Sequence, residues 1–117
     1  IKVLGTPTKE DVASMNKTYA DFSFPTVRPL PWSRVFRSHT PPEAIDLIAE
    51  TLKFAPTQRI VALDALTHPF FDELREAQTL LPNGKPLPPL FDFSDTERQY
   101  MSLSLLQRLI PSHVKDS

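Results

Sequence analysis

Phe54-Ala55-Pro56-Thr57-Gln58-Arg59-Ile60-Val61 decides how this chain is read. It separates two stretches with helical apolar spacing and sets an arginine between them. A guanidinium fixed in such a connection calls for a carboxylate. Glu50 and Asp64 are the acids near it in sequence, and either would give a surface pair worth about 0–1 kcal/mol.

Before that connection, Thr40-Pro41-Pro42-Glu43 has the form of a capping box. Thr40 at N-cap would accept from the N3 amide, Pro41 would take N1, and Glu43 would reach back to the N-cap amide. A helix over 41–53 follows, with Ala44, Ile45, Leu47, Ile48 and Leu52 as a broad apolar stripe facing a core. After the connection a helix is expected over 62–67, ended by Pro69, with a further turn over 72–75 bringing Leu74 inward. Val61 stands where a capping hydroxyl would serve that helix. His68, beside Pro69, reads as a packed, hydrogen-bonded structural histidine.

Towards the N-terminus, residues 1–4 read as the end of a helix closed by Gly5. Thr8 and Asp11 form a weak capping box for a helix over 9–15 with Val12 and Met15 inward. Residues 16–39 read as an irregular loop rich in proline and aromatics, with one helical turn over 33–36. Towards the C-terminus, residues 76–93 are extended, with an Asn83-Gly84 turn and prolines 82, 86, 88 and 89. Ser94 and Glu97 open a helix over 95–101. Leu103, Leu105, Leu106, Leu109 and Ile110 supply a last apolar turn or two before Pro111. The class is mainly α with long Pro-rich loops.

The 117 residues include 13 prolines, two glycines and no cysteine, with a net charge of −1. This balance disfavours nucleic acid as a partner. Arg28, Arg34, Arg37 and His39 read as a solvated face. No disulfide framework is available, and no apolar run is long enough to cross a membrane. The chain opens Ile1-Lys2-Val3-Leu4 without methionine or leader, and it is expected to be a piece of something larger. Two glycines cannot build a phosphate cradle, and the three histidines lack metal-ligand spacing. No Gly-x-Ser-x-Gly elbow occurs. The segment alone should be inactive.

Several motifs then occur in a telling order. Leu4-Gly-Thr-Pro7 is followed by Pro31-Trp32, Leu52-x-x-Ala-Pro56-x-x-Arg59 and Ala65-Leu-x-His68-Pro-Phe-Phe71. This series resembles the C-terminal portion of a eukaryotic protein kinase, in the branch of cyclin-dependent, mitogen-activated and glycogen synthase kinases. Asn16-x-x-Tyr19-x-x-Phe22-x-Phe24-Pro25, Thr40-Pro-Pro-Glu-Ala44 and Leu81-Pro-Asn-Gly84 are most similar to the glycogen synthase kinase-3 (shaggy) family.

The resemblance runs from Ile1 to about Phe93. It implies the base of the helical C-lobe, with an insert at 5–39, a helical base at 40–75, an extended segment at 76–93 and a C-terminal tail at 94–117. It implies an ATP- and magnesium-dependent serine/threonine kinase whose catalytic residues lie upstream of residue 1, with neither cofactor bound by this segment. Arg59 would pair with the glutamate that closes the activation segment. Tyr19, Phe22 and Phe24 would form part of a groove for a scaffold helix. The implied partners are the rest of the kinase domain, protein substrates and scaffold helices, in the cytoplasm and also the nucleus. The alternatives are another kinase of the same branch and a non-catalytic helical interaction module.

Overall fold

The computed structural model describes residues 1–115. They are mostly helical and contain no strand; one isolated bridge joins Leu80 and Pro86. Two compact units are present, Ile1–Ile60 and a second beginning at Val61.

In the first unit, α1 (Lys9–Met15) starts at the expected capping box. The Thr8 hydroxyl accepts from the Asp11 amide, and the Asp11 carboxylate accepts from the Thr8 amide, both at 3.0 Å. Val12 is buried, whereas Met15 is exposed, contrary to the expected inward face. Asn16 ends α1 and opens a 3₁₀ turn over Lys17–Tyr19 by accepting from the Thr18 amide. The single turn of α2 (Trp32–Val35) begins one residue earlier than its sequence suggests, and Trp32 stacks on Phe36 at 5.8 Å.

The start of α3 (Pro42–Thr51) corrects a sequence expectation. Its N-cap is Pro41, with no side-chain cap, so neither Thr40 nor Glu43 has the capping role. The cause is the second proline. A residue that precedes proline is disfavoured from the helical region. Pro41 therefore takes an extended ψ of 137°, and the helix begins one residue later, at Pro42. As N-cap, Pro41 has no N–H for Glu43 to reach. Glu43 keeps only a first-turn position, favourable to the helix dipole. The apolar stripe of α3 is not deeply buried either. Ala44, Ile45 and Leu47 are half-buried, and Ile48 and Leu52 are exposed.

The second unit starts with α4 (Ala62–Ala65). Val61 is its N-cap and contributes no side-chain bond. His68 follows, then a 3₁₀ run over Pro69–Arg75 in which Leu74 is exposed rather than inward. An extended stretch carries the Asn83-Gly84 turn, where the Lys85 amide donates to Asn83 Oδ1 and Gly84 has φ +80°. The chain finishes with α5 (Asp95–Gln99), α6 (Leu103–Leu109) and α7 (Ser112–Lys115). The sequence reading did not anticipate α7. Ser102 caps α6 by accepting from the Leu105 amide at 3.1 Å.

Met101, Leu105 and Leu109 form the core of this unit, packed by Leu63, Leu106, Phe91 and Phe93. Helical spacing of four residues places Leu105 and Leu109 on one face, which leaves Leu103 exposed. Residues on both sides of position 93 thus share one cluster.

At α5 the expected capping box is present. The Ser94 amide and hydroxyl donate to the Glu97 carboxylate at 2.7 and 2.9 Å, and the Glu97 amide donates to the Ser94 hydroxyl. These bonds, the backbone one foremost, hold the Glu97 carboxyl below its ordinary value. A depressed carboxylate adds stability that is present above its ordinary titration range and lost as pH falls through the lowered value. An NMR titration of the native chain should find Glu97 below the usual glutamate value, and Ser94→Ala should shrink the shift and fray α5. A Glu97 that titrates normally in the native chain would contradict this cap.

Candidate functional site

The first unit positions the two features singled out from sequence. Arg59 sits where the chain doubles back on the C-terminal end of α3. Its Nε donates to the Lys53 carbonyl at 2.8 Å and its Nη2 to the Phe54 carbonyl at 2.9 Å. The Ile60 amide donates to the Glu50 carbonyl, and Ala55 is buried inside the bend. The last carbonyls of a helix have no intrahelical donor, and a cation there also complements the dipole. Arg59 places a cation near this end and donates to the two carbonyls of the bend just past it, while the Glu50 carbonyl within α3 is met by the Ile60 amide.

The local surface-pair reading of Arg59 is not realised. Glu50 pairs with Lys53 at 3.4 Å, and among the described residues Arg59 makes no ion pair. Its side chain is exposed, and the Nη1 edge of the fork receives no acceptor among the described residues. The guanidinium is therefore fixed on one side and open on the other.

The aromatic loop is held by Gly5 and Thr6. The Thr6 hydroxyl donates to the Pro25 carbonyl and accepts from the Val27 amide, both at 2.7 Å, while the Thr6 amide donates to the Val27 carbonyl. The Leu30 amide donates to the Val3 carbonyl. Gly5 is required twice over. Its φ is +82°, and a Cβ there would stand 2.9 Å from Pro29 Cδ and from Pro29 N.

Pinned in this way, the loop shows Tyr19 and Phe22 to solvent, 56% and 60% exposed, while Phe24 is half-buried. Phe22 and Phe24 rings lie 4.8 Å apart at a tilt of 59°. A shallow cleft of about 200 Å³ runs between Pro7, Val12, Ala20, Phe22 and Phe24. Of the three predicted docking residues, two are thus open to a partner and the third is shared with the unit's own packing.

In the second unit His68 is buried, and its Nδ1 accepts from the Phe70 amide at 3.1 Å. An accepting Nδ1 places the proton of a neutral imidazole on Nε2. This is the structural histidine expected from sequence, opening the 3₁₀ run. The residue that sequence reasoning missed is Arg75. Its side chain is only 13% exposed. Nη1 donates to the Leu66 carbonyl, Nη2 to the carbonyls of Thr67 and His68, and the group also pairs with Asp72. The Asp72–Arg75 spacing was a signal for the pair, but the three carbonyls became visible only once the bend after α4 was formed.

Among the described residues no group of histidine and acidic side chains could hold a metal ion, and no helix is long and apolar enough to cross a membrane. No family model matches the chain.

The hold on the aromatic loop can be tested at Thr6. Thr6→Val keeps the shape but loses both hydroxyl bonds, with an expected cost of about 1–3 kcal/mol. Hydrogen exchange should speed up at Val27, and a protease should cut within 19–27 more readily. Unchanged exchange at Val27 would show that the hydroxyl is not the anchor.

Proposed function

We propose that this chain forms the base of the larger lobe of a serine/threonine protein kinase similar to glycogen synthase kinase-3. The parent enzyme would transfer the γ-phosphoryl group of ATP, with magnesium, to protein hydroxyls. The catalytic and metal-binding residues would lie on sequence N-terminal to Ile1, and this segment would support the activation segment.

The observation that carries the proposal is the ordered motif series from Leu4-Gly-Thr-Pro7 to His68-Pro-Phe-Phe71. Two features of the first unit support it. Arg59 is held by two carbonyls with the Nη1 edge of its fork open, as a waiting partner for a carboxylate requires. The apolar face of α3 is only half covered, which suits a helix that packs against further chain. The exposed Tyr19 and Phe22 support a second element of the reading, a docking surface for an amphipathic scaffold helix. That patch also favours the competing reading of a non-catalytic interaction module.

A phosphotransfer assay on the complete gene product separates the two. In an active kinase, Arg59→Ala should lower stability and turnover together, because losing one partner of a buried pair costs roughly 3–5 kcal/mol. Unchanged melting with unchanged turnover would remove Arg59 from this role. Absence of phosphotransfer with scaffold-helix binding retained would favour the interaction module.

A further inference from the structure

Lys85-Pro86-Leu87-Pro88-Pro89-Leu90 is neither helix nor sheet strand, apart from the isolated bridge of Pro86 to Leu80, and none of the roles above uses it. Every residue from 85 to 89 is a proline, precedes one, or both. The proline ring fixes φ near −65°, and a residue before proline is steered to extended backbone. Five successive positions are thus preset for the left-handed polyproline II helix, which has no internal hydrogen bonds.

Backbone bonding agrees. The Lys85 carbonyl accepts from the Leu81 amide at 2.8 Å and closes the Asn83-Gly84 turn. Beyond it, the carbonyls of 86–92 accept no hydrogen bond among the described residues. The segment leaves its own turn with its acceptors free.

The three-residue period of that helix sorts the side chains onto three edges. One edge carries Lys85 and Pro88, the second Pro86 and Pro89, the third Leu87 and Leu90. Lys85, Pro86, Pro88 and Pro89 are all exposed. Leu87 is half-buried, and with Leu90 it lines a cleft that also includes Leu74. Leu87 is therefore the one residue of the six turned partly inward, Leu90 is exposed, and the lysine and proline edges face solvent.

We propose that residues 85–90 are a docking strand for a protein domain whose aromatic-lined groove takes polyproline II ligands, with a carboxylate beside the groove to meet Lys85. Rigid proline rings pack between aromatic side chains, and free carbonyls accept from hydroxyl or indole donors in such a groove. Preset backbone angles reduce the ordering lost on binding. Addition to the edge of a sheet fits less well, because three of the six residues have no N–H to donate. The cation at one end fixes the direction in which the strand lies.

The test adds the full chain to an isotope-labelled SH3-type domain that carries an acidic pocket beside its groove, followed by NMR. Saturable shifts of the groove residues are expected. Pro89→Ala and Lys85→Glu should each weaken binding about tenfold or more, with the circular dichroism of the chain unchanged. Both positions are exposed, and Lys85→Glu alters no backbone constraint. No saturation up to about 1 mM, or either variant binding as the native chain does, would overturn the proposal.

Discussion

Guanidinium groups gathering the carbonyls of the bend that follows a helix are the interaction on which both units depend. The last carbonyls of a helix need donors, and the common solution is a glycine in the left-handed region just past the end. This chain has two glycines, at 5 and 84, and neither follows one of its α-helices. In the bend past α3 Arg59 donates to the carbonyls of Lys53 and Phe54, and past α4 Arg75 donates to those of Leu66, Thr67 and His68. Prolines then prevent the helices from continuing. The bends that result carry Ala55 and His68 into their units.

Such closures matter more where the core is thin. Among the described residues six apolar side chains are buried: Pro7, Val12 and Ala55 in the first unit, Met101, Leu105 and Leu109 in the second. The apolar face of α3 contributes little, since its largest side chains are half-buried or exposed. Apolar burial of this extent leaves a large share of the stability to caps, turns and the Thr6 clamp. It is also the state expected of a surface that further protein covers, in line with the proposed kinase lobe.

What could be read from sequence was what is decided within a few residues. The capping boxes at Thr8/Asp11 and Ser94/Glu97 stand as expected, because each is a closed local circuit. The Thr40/Glu43 box failed for an equally local reason: the restriction that Pro42 places on Pro41 outweighed the cap pattern. The inward faces of Met15, α3 and Leu74 were misjudged because periodicity says which residues share a face, not whether anything lies against it. Arg59 was flagged by its setting between apolar runs, but its carbonyl partners arise only when the chain folds back. Arg75 is marked in the sequence only by its spacing from Asp72. Apart from Asp72, its partners are backbone atoms, which carry no residue identity to read. The free polyproline segment lies between these cases, since proline states its own backbone angles.

Replacing Arg75 by lysine tests the role of the guanidinium most directly. Lysine keeps the charge and the attraction of Asp72, but a single ammonium cannot span three carbonyls held by a planar fork. In urea unfolding of the full chain followed by probes in the second unit, Arg75→Lys should lose about 2 kcal/mol. A variant as stable as the native chain, within about 0.5 kcal/mol, would show that charge near the helix end suffices and that the fork is not what closes it.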